Sequence, residues 1–130
     1  MHMHDKAAQV FTREKLDELF PPERSDDFFD ALYGDPAEGA YDIRLVFRAA
    51  KDKTLHFAFE LHQRPGKCLA CNLTYGLPQV FTRHPRINLK GLAGELGGLV
   101  GVSAQALHFQ LGRTEELSAE LHVIPLRIQY

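Results

Sequence analysis

The two cysteines of the chain, Cys68 and Cys71, stand in a C-x-x-C spacing. Paired thiolates at this spacing can hold a zinc ion or exchange a disulfide bond. Histidines lie on both sides, so one candidate is a zinc site of His62, Cys68, Cys71 and His84. The chain lacks the second histidine pair of a zinc finger, and a single C-x-x-C is a weak signal. We therefore predict no cofactor, with zinc as the alternative.

The residues around the motif favour a strand. Apolar residues alternate through it, at Leu69, Cys71, Leu73 and Tyr75. Positions three apart on a straight strand point to opposite faces and lie about 10 Å apart, whereas the Cα atoms of a disulfide approach within about 7 Å. We therefore expect Cys71 in the core beside Phe59, and Cys68 as an accessible thiol beside His62.

A second candidate is the polar face of the predicted sheet. Alternation along the strands places imidazoles and carboxylates on it: His56, Glu60, His108, Glu120 and His122. Such groups could bind a metal ion or act as acid and base. They could equally form cross-strand pairs that only stabilise the sheet. The expected pairs are Asp42 with His62, Arg44 with Glu60, Arg48 with His56, and His108 with Glu120.

A third candidate is a basic end of the domain. The first hairpin turn and the segment before the long helix are both rich in bases: Lys51, Lys53, Arg83, His84, Arg86 and Lys90. Asn88 is placed to cap that helix, and a helix N-terminus with arginines favours an anion or an acidic peptide. The alternative is a solvated loop, or a surface that docks the acidic N-terminal helices of the same chain.

The long helix carries glycines at helical spacing: Gly91, Gly94, Gly98 and Gly101. Each costs about 1 kcal/mol of helix stability relative to alanine, so a compensating close approach is expected. Packing within the chain would explain the spacing. The alternative is a seam between two subunits of a homodimer.

Periodicity predicts a single α+β domain over residues 1–130. Residues 1–10 are expected to be flexible, and 11–34 to form two short helices capped by Thr12 and Ser25, the second ending at Gly34. Residues 41–130 are predicted to form a three-stranded antiparallel meander, one long helix and a two-stranded C-terminal hairpin. The order is α-α-β-β-β-α-β-β. Leu111 is expected to pair with Leu117, and Pro125 to reverse which residues of the last strand face the core.

Charge and composition narrow the function. The net charge is −2, with eleven acids against four bases in residues 1–42 and six against eleven in 43–130. Nucleic acid binding is not favoured at a pI near 6.4, and the sequence has neither a membrane span nor a secretory signal. Two cysteines favour the cytoplasm. Catalytic motifs are absent from the sequence.

These features predict a small cytoplasmic binding or adaptor domain that recognises a protein or anionic partner rather than catalysing a reaction. The alternative is a metal- or small-ligand-binding protein that uses Cys68 and the histidines of the polar face, with enzymatic activity left open.

Overall fold

The computed structural model describes residues 3–69 and 74–130. The helices are α1 (Met3–Val10), α2 (Arg13–Leu19), α3 (Glu23–Tyr33), α4 (Leu77–Arg83) and α5 (Leu89–Leu99). The strands are β1 (Tyr41–Lys51), β2 (Thr54–Gln63), β3 (His108–Leu111), β4 (Glu115–Glu116) and β5 (Leu121–Gln129). Short 3₁₀ turns occupy Pro36–Glu38, Thr74–Gly76 and Ala104–Ala106.

The predicted α+β class with an antiparallel sheet is confirmed. The strand order is β1-β2-β5-β3, and β4 pairs with β5 beyond the end of β3. All strand pairs are antiparallel. The outer strands of this order are β1 on one side and β3 on the other, so these two carry the sheet edges.

The first hairpin forms as its sequence predicts. Asp52 and Lys53 both take left-handed backbone angles, with φ of 52° and 58°, which is the geometry of a tight two-residue hairpin turn. The pairs Asp42↔His62 and Arg44↔Glu60 are confirmed. The predicted pair of Arg48 with His56 is wrong: the register shifts between Phe47 and Ala49, and His56 lies opposite Ala49.

The predicted third strand of the meander is wrong over the residues that the structure describes. Thr74–Gly76 is a 3₁₀ turn that leads directly into α4. Leu69 is fully buried whereas Tyr75 is 64% exposed, so these two do not share a buried strand face. Pro78 lies in the first turn of α4, where a missing N–H is tolerated and the fixed φ suits a helix.

The last strand does not change face at Pro125. β5 runs beside β2 in one unbroken register, and its core-side residues are His122, Ile124, Leu126 and Ile128. Pro125 is tolerated because its nitrogen points toward the side where β3 has just ended. There its carbonyl accepts a hydrogen bond from Gly112 N at 2.8 Å. The predicted Leu111–Leu117 pair is also wrong, since Leu111 lies opposite Leu126.

Aromatic rings fill the space between the helices and one face of the sheet. Phe59 of β2 contacts Phe20, with ring centroids 5.4 Å apart, and Phe81 of α4 at 5.7 Å. Phe28 of α3 contacts the same Phe81 at 5.4 Å. This cluster joins α3, α4 and the central hairpin into one core.

The structure places α1 over most of the segment that the sequence predicted to be flexible. α1 contacts β1, and its Ala7 is fully buried. The cap of α2 by Thr12 is confirmed, because its hydroxyl accepts a bond from Lys15 N at 3.1 Å. Gly34 ends α3 with a left-handed φ of 79°, as predicted.

Ser25 does not cap α3, which begins two residues earlier at Glu23. Its hydroxyl instead satisfies the edge of β1: it accepts a bond from Ile43 N at 2.8 Å and donates to Ile43 O at 3.4 Å. Arg13 of α2 donates to the carbonyl of Leu45 at 2.6 Å. The N-terminal helices therefore cover the β1 edge with side-chain hydrogen bonds.

The guanidinium of Arg64 fastens the same region to the end of β2. It donates to Asp42 at 3.0 Å, to Asp26 of α3 at 2.8 Å and to Pro36 O at 2.8 Å. It also lies over the ring of Phe29, 5.3 Å from the centroid. Only 15% of the Arg64 side chain is exposed, whereas the side chains of Asp26 and Asp42 are 56% and 60% exposed.

We predict that Ser25→Ala destabilises the fold. The substitution leaves the buried N–H of Ile43 without a partner, which costs about 1–3 kcal/mol of unfolding free energy. Urea denaturation measures the change, and Ser118→Ala at an exposed loop serves as the control, expected within about 0.5 kcal/mol of wild type. Equal stability of the two variants would contradict the edge protection by Ser25.

Candidate functional site

The free side of β3 presents unpaired backbone groups. Gly112 bonds to Pro125 O, and the register continues through Gln110↔Arg127. Hydrogen-bonded residues alternate along an antiparallel pair, so Gln110 bonds to β5 whereas Phe109 and Leu111 point their N–H and C=O away from it. Within residues 3–69 and 74–130, these outward groups have no hydrogen-bond partner.

Two grooves run beside this edge, and both include the half-buried Phe109. The α4 groove, about 270 Å³ in volume, is lined by Pro78, Thr82, Arg83, Phe109 and Leu111. The α5 groove, about 610 Å³, is lined by Asn88, Lys90, Gly91, Gly94, Glu95, Ala104, Leu107 and Phe109. The edge of β3 therefore lies next to apolar concave surface along its length, which is what a binding edge requires.

The glycines of α5 form one wall of the larger groove. A Cβ on Gly94 would meet only the Cβ of Ala104, at 3.7 Å, and a Cβ on Gly98 would meet nothing within 4 Å. Tight intrachain contacts occur at Gly91, where a Cβ would come within 2.5 Å of the Asn88 side chain, and at Gly97, which lies outside the predicted stripe. A Cβ there would come within 2.6 Å of Leu107. Gly101 has a φ of 82° just beyond the helix end.

Close packing within the chain thus explains Gly91 of the predicted stripe and also Gly97, which the stripe omitted, while Gly94 leaves space. Asn88 caps α5 as predicted, since its side chain accepts a bond from Gly91 N at 3.4 Å. The subunit seam predicted from the stripe stays a prediction.

The structure places two of the six predicted basic residues on the groove rims. Arg83 ends α4 and Lys90 lies in the first turn of α5; both are exposed. Neither has an ion pair with any described residue. The ion pairs of the acidic N-terminal helices use other bases: Arg13 with Asp17, Lys15 with Glu18, and Arg64 with Asp26. The rim cations remain available to a partner.

The other basic residues lie apart from the rims. Lys51 precedes the first hairpin turn and Lys53 lies in it. This turn is at the end of the sheet where β3 begins, because Thr54 pairs with Gln129 and Gln129 with His108. Arg86 follows α4 in the loop before α5. There Arg24 of α3 donates to the carbonyl of Ile87 at 3.1 Å.

His84 packs against the core. Its ring centroid lies 4.8 Å from that of Phe28, and its Nδ1 accepts a hydrogen bond from Arg86 N at 3.2 Å. Burial, and then the charge of Arg86, lower the pKa of His84. An Nδ1 that accepts a hydrogen bond belongs to the neutral ring with its proton on Nε2, and a lowered pKa favours this neutral form. His84 therefore adds less positive charge to the basic end than an unperturbed histidine would.

The predicted polar sheet face is only partly assembled. The Glu60 carboxylate accepts a hydrogen bond from Nε2 of His62 along β2, at 3.0 Å, and His56 and His108 share this face. His108 lies opposite Gln129 rather than the predicted Glu120, which is exposed outside the strands.

His122 lies on the core side instead, opposite Leu61, and is 1% exposed. Its Nδ1 bonds to the hydroxyl of Thr74 at 2.8 Å, and Thr114 donates to the carbonyl of Thr74 at 2.7 Å. This buried polar cluster holds the start of the Thr74–Gly76 turn against β5. The placement differs from the prediction because β5 keeps one register through Pro125.

The predicted zinc ligands are not brought together in the described part of the chain. Cys68 is exposed and disulfide-bonded, so it is not the accessible thiol that we expected, and a disulfide sulfur is not a thiolate ligand. Cys71 lies outside the described residues. His62 bonds to Glu60, and His84 packs on Phe28. In residues 3–69 and 74–130, no three His, Cys, Asp or Glu side chains form a group that could hold a metal ion.

Comparisons with known proteins identify no function for the site. The chain matches no protein-family model, no curated protein and no solved structure. Among the described helices, none is both long enough and apolar enough to cross a membrane.

Phe109 and Leu111 were assigned to a strand by the sequence but not to a site. The predicted C-terminal hairpin pairs Leu111 with Leu117, and this local pairing gives no sign that one side of the strand stays free. The open side follows from the position of β5 between β2 and β3, a non-local pairing. A short apolar strand followed by Gly112 was the available signal.

We predict that Arg86→Ala raises the pKa of His84 part of the way to its ordinary value, because burial against Phe28 remains. The imidazole proton shifts in an NMR titration report this pKa. Since folding lowers it, His84 contributes stability that is present above about pH 6.5 and is lost as pH falls through the folded-state pKa. Arg83→Ala is the control and should move the pKa less. A wild-type pKa at or above the ordinary value would contradict the assignment.

Proposed function

We propose that the chain is a protein-binding domain that takes up an extended segment of a partner as an additional strand beside β3. The outward N–H and C=O groups of Phe109 and Leu111, next to two grooves, carry the proposal. Strand addition obtains affinity from backbone hydrogen bonds and specificity from pockets for alternate side chains. Both components are present at this edge.

Charge favours a segment with acidic residues. Arg83 and Lys90 border the grooves, are exposed, and form no ion pair with described residues. An exposed ion pair contributes about 0.2–1 kcal/mol, so these cations select among segments while the backbone and apolar contacts supply most of the affinity. The predicted anionic or protein partner becomes, in this proposal, an acidic and apolar peptide.

The other sheet edge is less suited to the same role. On β1, both outward groups of Ile43 bond to Ser25, and the outward carbonyl of Leu45 bonds to Arg13. A second copy of the chain is also a poorer occupant of the β3 edge, because two-fold pairing of β3 with itself would bring Arg83 and Lys90 toward the same residues of the other subunit. Like charges at close range disfavour that pairing.

The proposal keeps the chain among binding and adaptor domains and adds no catalytic step. The cytoplasmic location remains a prediction. The disulfide bond of Cys68 is more typical of an oxidising compartment, and the redox state of that cysteine in cells would decide the question.

We predict that a displayed library of random peptides, selected on the purified protein, yields binders whose affinity is lost in Leu111→Pro. Proline removes the outward N–H of Leu111 and sets a ring in the path of an incoming strand, but leaves the bond from Gln110 to β5. Leu111→Val keeps the N–H and is the matched control. Calorimetry measures binding, and thermal unfolding checks that both variants fold.

Peptides that bind Leu111→Pro as well as wild type would overturn strand addition at β3, as would selection without enrichment. A wild-type dimer in sedimentation that Leu111→Pro abolishes would replace the partner segment with a second copy of the chain.

A further inference from the structure

We infer that the partner segment carries an acidic residue and an apolar residue separated by one position, with the acid at Arg83 and the apolar side chain in the α5 groove. The inference rests on the proposed strand addition. It deepens that proposal by assigning a side-chain type to each of the two grooves.

The spacing follows from strand geometry. A segment docked on β3 bonds to Phe109 and Leu111, which are two residues apart, so its own bonded residues are also two apart. Their side chains point to the same face as those of Phe109 and Leu111, which is the face that borders the grooves. Residues two apart on a strand are separated by about 7 Å. One residue therefore meets each groove.

The grooves differ in size and charge. The α5 groove has more than twice the volume of the α4 groove, about 610 Å³ against 270 Å³, because Gly91 and Gly94 contribute no side chain to its wall. Its rim carries both Lys90 and Glu95, whose charges oppose each other. The α4 groove is lined by Arg83 without an acidic residue. The larger groove therefore suits an apolar side chain, and the smaller one a carboxylate.

The order of the two residues follows from the direction of β3. Along β3 the chain passes Phe109 and the α5 groove before it reaches Leu111 and the α4 groove. A segment that runs antiparallel to β3 meets Arg83 first and the α5 groove second. Because antiparallel pairing is slightly more stable per residue, the expected pattern reads acidic residue, any residue, apolar residue.

Substitutions in α5 test the apolar position. The probes are synthetic peptides taken from the library selection on wild-type protein. Gly94→Leu should fill the α5 groove and weaken peptide binding at least about tenfold in calorimetry, a loss of about 1.4 kcal/mol. Gly98→Leu, one turn along the same helix and facing open space, is the matched control and should leave the affinity within about twofold. Equal effects of the two leucines would overturn the assignment of this groove.

A charge exchange tests the acidic position. Arg83→Glu should weaken the affinity of the protein for the selected peptides about fivefold. Replacing the acidic residue of the peptide with lysine should restore binding to the Arg83→Glu protein but should not improve binding to wild type. The absence of this rescue would overturn the acid at Arg83.

Different results would reject the proposed strand addition and the acidic–apolar spacing. If peptides bind and Leu111→Pro abolishes binding, but the enriched sequences lack the acidic–apolar spacing, strand addition stands and this inference is rejected. If binding does not depend on Leu111, the proposed function itself is rejected.

Discussion

An antiparallel sheet leaves backbone N–H and C=O groups unpaired along its two outer strands. In this chain, side chains bond to these groups on one edge but not on the other. On β1, the hydroxyl of Ser25 bonds to both backbone groups of Ile43, and Arg13 bonds to the carbonyl of Leu45. On β3, the outward groups of Phe109 and Leu111 meet no described partner. The first edge is built into the fold, and the second is available for binding.

The asymmetric charge of the sequence follows the same division. The acidic N-terminal segment packs over β1 and is held there by Arg64, which bonds to Asp26 and Asp42 at the end of β2. In the described part of the chain, Asp17, Glu18, Asp26 and Asp42 pair with Arg13, Lys15 or Arg64, and no acid pairs with Arg83 or Lys90 beside β3. The segment over β1 keeps an excess of acids, while Arg83 and Lys90 lie beside the grooves at β3.

The sequence correctly predicted those turns and helix ends that depend on residues adjacent along the chain. The Asp52–Lys53 turn set the register of the first hairpin, and Asn88 and Gly34 marked helix ends as expected. The bulge at Arg48 had no sequence signal. The change of face that the sequence predicts at Pro125 is wrong, because the tolerance of proline in β5 depends on where β3 ends. The same non-local pairing buries His122 and exposes the β3 edge. Alternation in residues 69–75 resembled a strand, yet Pro78 and the buried Thr74–His122 bond favour a turn and a helix.

Hydrogen exchange of individual amides, followed by NMR on the free protein, tests the central claim most directly. The amides of Ile43 and Gln110 are bonded, whereas those of Phe109 and Leu111 point to solvent. We expect the Phe109 and Leu111 amides to exchange at least about 100-fold faster than those of Ile43 and Gln110. Protection of Phe109 and Leu111 equal to that of Ile43 would show that the β3 edge is already occupied, and would contradict the account.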